Sequence, residues 1–375
     1  MSARFLTVVL ERAFNMRDGF GREIDYMRIS VIDSCNLNCY YCNPCDNNEH
    51  CHALNILSVK EVLCIVRAAT RLGIKHFRLT GGEPLLHPQL DEMVLQIKKI
   101  SGVSSVSLTT NAVLLAQHAK WLKEAGIDSI NVSLDTIDAS EYERITKKPL
   151  LEEVKHGINA AIECGIRVKI NVVLTPQTDV VALTRYVAKK GTDIRFIEMM
   201  PVGEGHTNGV EPYKKVIGTL SKLYGEPCRI NTEKTKEINS GNDKRKIPDN
   251  GPAEYYIFPE LGIRVGLIQA IHGKFCDTCN RIRVTADGRL MPCLGSSVTM
   301  DLVPDSCEFT DDLEKDFVIV QALKAAIKAK PGCHNFNDNA VTYTKTTETK
   351  TVETKTTELK AAEVNAARNM SRIGG

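Results

Sequence analysis

The chain has 375 residues, enough for two or three domains and a core that stands without disulfide or metal staples. Lys and Arg total 48 against 46 Asp and Glu, and this net charge of +2 removes any general electrostatic case for nucleic-acid binding. No stretch approaches 18 consecutive apolar residues, so neither a spanning helix nor a membrane partner is expected.

The first 14 residues set Arg4 and Arg12 around an apolar patch that Glu11 interrupts, with no small-residue cleavage pattern, so an intracellular, cytoplasmic chain is expected, or a mitochondrial-matrix one if the source is eukaryotic. From Met27 to Met200, short β-rich runs alternate with helical patterns. The strand candidates are Met27 to Ile32, Ile74 to Thr80, Ser105 to Thr110, Ser129 to Leu134, Arg167 to Leu174 and Asp193 to Met199. Ser58 to Leu72 is a representative helix, closed by Gly73. Six βα units predict an α/β fold, an open (partial) (β/α)6 barrel, with a doubly wound sheet as the alternative. Either architecture puts chemistry at the carboxyl ends of the strands. After Met200 the period changes. A helical run from Pro212 to Leu223 precedes strand-like pieces at Tyr255 to Phe258, Ile263 to Leu267 and Arg281 to Thr285, which predicts a smaller C-terminal α+β domain. The expected division is 1–200, 201–335 and a low-complexity remainder, 336–375. In that remainder Thr344 to Glu358 reads as the pentads TKTTE, TKTVE and TKTTE, too poor in apolar residues to order itself.

Thirteen cysteines in a reducing compartment point to metal, cluster or catalytic work. Cys45, Cys51, Cys64, Cys164, Cys228, Cys307 and Cys333 are scattered and read as buried or incidental thiols. The rest form two triplets. Cys35, Cys39 and Cys42 give C-x3-C-x2-C just after the first strand, where three thiolates can hold three irons of a cubane cluster and leave the fourth open. A zinc site, or a ferredoxin-type cluster closed by Cys45, is the alternative. Thr80 to Pro84 follow the second strand, and adjacent Gly81 and Gly82 let the backbone approach a ligand closely. Cys276, Cys279 and Cys293 give C-x2-C-x13-C, suited to a second cluster with an open iron or to a zinc knuckle completed by His272.

With Tyr41 before the third cysteine and the GGEP turn, the first triplet resembles the radical S-adenosylmethionine (SAM) superfamily. The stretches DGFGR (18–22), RISVIDSCNLNCYYC (28–42), RLTGGEPLL (78–86), SLD (133–135), RFIEMMPVG (195–203) and FCDTCNRIRVTADGRLMPCL (275–294), with the terminal Ile373-Gly374-Gly375, resemble the GTP 3′,8-cyclases of molybdenum cofactor biosynthesis. The sequence departs from that pattern at Cys45, at His76 and in the pentads. The resemblance implies two 4Fe-4S clusters, SAM as cofactor and GTP as substrate. A 5′-deoxyadenosyl radical would take the hydrogen from ribose carbon 3′, and the ring would close on guanine carbon 8.

By the same resemblance Tyr41, Gly82, Ser133 and Met200 match SAM contacts, and Gly374 and Gly375 enter the active site. Arg28, Arg78, Thr109, Lys169, Arg281 and Arg283 match GTP contacts, and Arg195 is a weaker candidate for the same pocket. GTP brings about four negative charges, which guanidinium forks neutralise well. The expected partners are a reductant protein and the downstream cyclic pyranopterin monophosphate synthase, and a homodimer is an open expectation. The competing functions are a radical SAM peptide or protein modifier with an auxiliary cluster and a zinc-binding scaffold.

Overall fold

A computed structural model describes residues 16–42, 55–201, 209–230, 251–296, 298–302, 312–334 and 336. Cys45, Cys51, Cys307, the pentads and Gly374–Gly375 lie outside the described residues. The six expected strands form as β1 (Tyr26–Ser30), β2 (His76–Thr80), β3 (Ser105–Thr110), β4 (Ser129–Ser133), β5 (Val168–Val173) and β6 (Asp193–Ile197). Between them run α1 (Val59–Arg71), α2 (Leu90–Lys98), α3 (Leu115–Glu124), α4 (Ala139–Thr146), α5 (Leu151–Glu163) and α6 (Val180–Lys189). Local chemistry sets α1: Ser58 and Glu61 close a reciprocal capping box at its start, and Gly73 at φ +86° turns the chain out of its end.

β1 to β6 are parallel and lie in chain order, with none of the order reversal that marks a doubly wound sheet. The C-terminal region supplies both margins of the same sheet. β9 (Arg264–Ile268) pairs with β6 and β10 (Arg281–Val284) with β1, both in parallel. Antiparallel β8 (Glu254–Ile257) and β7 (Cys228–Ile230) extend one side, and β11 (Arg289–Met291) and β12 (Met300–Asp301) the other. Among the described residues the result is one open, twelve-stranded sheet, a partial barrel.

The expected helical run after Pro212 begins as a π-helical turn, Tyr213–Ile217, and continues as α7 (Gly218–Tyr224). The sequence reading did not pick out α8 (Asp312–Lys328), which packs on α1. Its apolar residues surround much of the axis, so no amphipathic stripe announces it. Asp316 pins it to α1 through Arg71 Nη2 at 3.1 Å.

Alternation along the strands separates two faces. Met27, Ile29, Phe77, Leu79, Val106, Leu108, Ile130 and Val132 point to one side and are fully buried. Their neighbours Tyr26, Arg28, His76, Arg78, Ser105, Ser107, Ser129 and Asn131 point to the other and line a cavity. A parallel sheet covered on both faces would read apolar throughout. Here the second face is polar and lines the cavity.

Candidate active site

The cavity has a volume of about 570 Å³ and opens along the polar face of the sheet. Strand register arranges its cations. Arg283 on β10, Arg28 on β1 and Arg78 on β2 are direct cross-strand partners in one row, and Tyr26 is flanked in the same way by Arg281 and His76. Lys169 from β5 and Arg195 from β6 complete the far wall, both buried. With Arg167 and Lys330, eight Lys and Arg side chains among the described residues line the cavity against two carboxylates, Asp128 and Glu198. Both carboxylates are engaged. Asp128 accepts from Lys98 Nζ at 2.9 Å and Val106 N at 2.7 Å, and Glu198 accepts from Ile271 N at 2.8 Å and from the His272 ring.

Like charges on adjacent strands repel. Burial, then the charge of Arg283, drives the Arg28 guanidinium well below its ordinary range. Burial and the neighbouring Arg281 bring Arg283 down to about 10. Three guanidinium nitrogens of the cavity wall, Arg281 Nε, Arg195 Nη2 and Arg167 Nη2, are buried with no hydrogen-bond partner. Buried donors of this kind call for an acceptor, and an anion held along the row would supply one while relieving the repulsion. Gly266 on β9 makes room for this wall, since a Cβ there would lie 2.8 Å from Arg195 Cγ and 2.9 Å from the Tyr255 ring.

The second cysteine triplet faces the same cavity: Cys276, Cys279 and Cys293 all line it. Burial pushes the Cys276 thiol up. At Cys279 burial also pushes upward, but Arg281 and Lys330 outweigh it and bring the thiol down to about 7. The arginine of the DGFGR stretch turns out to be the clamp of this region. Arg22 pairs with Asp18 at 2.6 Å and donates to the carbonyls of Cys276 (2.6 Å), Gly332 (3.0 Å) and Pro331 (2.6 Å). His334, on that same C-terminal segment, bonds Ala270 O at 2.7 Å. Cys333, read as incidental, is exposed but close enough to Cys276 to disfavour its thiolate. His272 is directed to Glu198.

The first triplet sits on the loop after β1, beyond the cavity wall. That loop is held by Asn38 N to Thr146 O at 3.0 Å, Tyr40 N to Ile145 O at 3.1 Å and Cys42 N to Cys39 O at 2.9 Å. Burial raises the Cys35 thiol to about 12 and the Cys42 thiol to about 11, and raises Cys39 too. Thiols this reluctant to ionise become thiolates when a metal takes the place of the proton. Among the described residues no three His, Cys, Asp or Glu side chains converge on one ion position. One thiolate per iron asks for no such convergence, and within each triplet the thiols lie close enough to disfavour one another's ionisation, which suits ligands shared around one cluster.

The GGEP turn is built against this loop. A Cβ on Gly82 would lie 2.2 Å from Ser34 O, and one on Gly81 2.6 Å from Ile32 O. Gly82 N and Glu83 N instead bond Ile32 O and Ser34 O, each at 2.7 Å. What the glycines make room for in these contacts is the chain's own backbone beside Cys35. Glu83 is buried and ties the turn to the end of β3, accepting from Thr110 Oγ1 at 2.6 Å and Asn111 N at 2.7 Å. Asn111 Nδ2 in turn reaches Cys35 Sγ at 3.8 Å.

Tyr41 bridges the two regions. It lines the cavity and donates to Asp135, which also accepts from Val173 N at 2.8 Å. Burial pushes the Asp135 carboxyl up to about 6. The cavity thus gathers Tyr41 and Met200 of the SAM-matching residues with Arg28, Arg78, Lys169, Arg281 and Arg283 of the GTP-matching ones. Gly82, Ser133 and Thr109 are off its lining; Ser133 is exposed, and Thr109 accepts from Arg78 Nη1 at 3.4 Å. Asn131, Asn171, Arg167 and Lys330 also line the cavity, and no motif marked them in the sequence.

An open parallel barrel with a three-cysteine loop after its first strand defines the radical SAM class, and residues 29–182 match the Radical SAM superfamily. Residues 192–336 match Molybdenum Cofactor Synthesis C. The GTP 3′,8-cyclase of Clostridium perfringens is 35% identical over 324 residues, covering 86% of this chain and 95% of that protein. That of Pelotomaculum thermopropionicum is 36% identical over 327 residues, covering 85% and 95%. The chain belongs to the GTP 3′,8-cyclase family. The solved structure of Streptococcus suis SuiB bound to precursor peptide SuiA shares the fold at 15% identity, with a TM-score of 0.52 over 85% of this chain and 67% of that one.

Proposed function

We infer that this chain is a radical SAM enzyme that converts GTP to 3′,8-cyclo-7,8-dihydro-GTP, the first step of molybdenum cofactor biosynthesis. The observation that carries the substrate is the row Arg283, Arg28 and Arg78, directed at a cavity whose wall also holds Cys276, Cys279 and Cys293. Two 4Fe-4S clusters and SAM, when bound, supply the electron and the hydrogen abstraction. Cys35, Cys39 and Cys42 would hold the first cluster, and Cys276, Cys279 and Cys293 the second.

The residues of the chain position and neutralise. Arg28, Arg78, Lys169, Arg281 and Arg283 take the triphosphate, with Thr109 steadying Arg78 and Arg195 as a further donor. Tyr41, held by Asp135, and Met200 form the side of the cavity toward SAM, with Gly82 and Ser133 as the remaining SAM-matching positions. Holding both reactants along one wall turns a bimolecular encounter into an oriented one. Gly374 and Gly375 are assigned to the GTP step, so deleting them is expected to abolish cyclisation while both clusters and SAM binding survive.

A separate reductant protein, the cyclic pyranopterin monophosphate synthase as consumer of the product, homodimeric assembly and a cytoplasmic setting complete the reading. No helix among the described residues is long and apolar enough to cross a membrane. The test is an anaerobic incubation with reductant, SAM and GTP, followed for 5′-deoxyadenosine and a cyclised nucleotide. If 5′-deoxyadenosine forms while GTP is untouched, the substrate is a peptide or protein instead.

A further inference from the structure

Lys330 is 2% exposed, and the reading above gives it no part. After α8 the chain turns inward, and Lys330 Nζ donates to the carbonyl oxygens of Arg281 at 2.8 Å and Pro292 at 2.9 Å. These two bonds fix the ammonium beside Cys279, where its charge favours the thiolate. Arg281 lies two residues after Cys279, and Pro292 directly precedes Cys293. One buried ammonium therefore ties together both arms of the C-x2-C-x13-C triplet and fixes a positive charge between them.

A buried ammonium needs an anionic partner. Arg281 and Arg283 beside it carry its own sign, and both carboxylates on the cavity wall are engaged elsewhere. Among the described residues of the cavity wall the cysteine sulfurs are the counter-charges that remain, and they are anionic when they ligate iron. Iron-sulfur potentials follow net charge and hydrogen bonds around the cluster, and Lys330 supplies a charge at a fixed place.

We propose that Lys330 is a positioning residue that sets the reduction potential of the second cluster, favouring its reduced state through a charge fixed between the two arms of the triplet. This rests on reading Cys276, Cys279 and Cys293 as cluster ligands. The test is an anaerobic potentiometric titration, followed by electron paramagnetic resonance, of the reconstituted full chain as wild type, Lys330→Met and Lys330→Arg. Lys330→Met is expected to keep its iron and sulfide while the second cluster becomes at least tenfold harder to reduce, a shift of about 59 mV for one electron. Lys330→Arg is expected to stay near wild type, with the first cluster unmoved in both variants.

An unchanged potential in Lys330→Met overturns the proposal. Equal shifts in both variants, or loss of the second cluster from both, reduce Lys330 to a structural prop and overturn it as well. If Lys330→Met instead loses GTP affinity at an unchanged potential, its charge serves the substrate. A wild-type chain that assembles a single cluster would remove the underlying reading of the three cysteines, an outcome distinct from all of these.

Discussion

Replacing Arg22 with Ala tests how the C-terminal region is fastened to the barrel. Arg22 Nε pairs with Asp18 at 2.6 Å, and the two side chains are 7% and 0% exposed. The other nitrogens hold Cys276 O, Gly332 O and Pro331 O. Removing one partner of a buried pair costs about 3–5 kcal/mol. The three carbonyls add to this less than additively, because the same guanidinium serves them all. Asp18 keeps its bonds from Phe20 N and Arg22 N, so the cost stays within that range. Against a total stability of about 5–15 kcal/mol, the loss is large and local to the Cys276 loop. Arg22→Ala is expected to reconstitute with roughly half the wild-type iron and sulfide, the first cluster intact and the second missing or quickly lost. Arg22→Lys keeps the charge but not the planar fork, so it should fall between the two. Iron and sulfide analysis, spectroscopy that separates the clusters, and thermal unfolding measure these effects. An Arg22→Ala chain with wild-type melting and a full second cluster would refute the clamp.

Gly82→Ala would put a Cβ 2.2 Å from Ser34 O, so the turn and the Cys35 loop must part at a cost of about 1–3 kcal/mol; SAM affinity and first-cluster iron should fall while the second cluster persists. Arg281→Ala or Arg283→Ala should weaken GTP binding roughly ten- to hundredfold, about 1.5–3 kcal/mol for one charge-assisted bond, with both clusters retained; calorimetry checks this, and wild-type affinity with altered iron would make these arginines structural. Cys35→Ala, Cys39→Ala and Cys42→Ala should each abolish SAM cleavage, whereas Cys45→Ala should leave it, since a fourth thiolate would close the open iron; 5′-deoxyadenosine assays decide.

The parts legible in the sequence were those whose cause is local. Nine strands are legible to within two residues at each end because β-branched clusters and glycine stops are neighbours in the chain, whereas β7, β11 and β12, three residues or fewer, carry no pattern of their own. The cysteine triplets were found because each C-x2-C pair lies within one turn. Arg28, Arg78 and Arg283 could be named one by one from the family pattern, but not as a row. Their alignment follows from β10 joining β1, a pairing between residues some 250 positions apart.

The same limit explains Arg22 and Lys330, whose partners are up to 310 and 49 residues away. Neither sits at a spacing that signals its role, and a single cation in a balanced chain is most often a solvated one. What distinguishes them is burial together with carbonyl partners on the cysteine loops. The glycines carry the converse lesson. Gly81 and Gly82 were legible as a place of close approach, but only the fold shows that the approaching group is the backbone of Ile32 to Ser34. The SAM-side turn and the first-cluster loop are therefore one packed unit, as Arg22 and Lys330 make one unit of the second triplet and the end of α8. The cation row lies between these two packed units on neighbouring strands. On the proposed reading, a substrate held along it is oriented by both units at once.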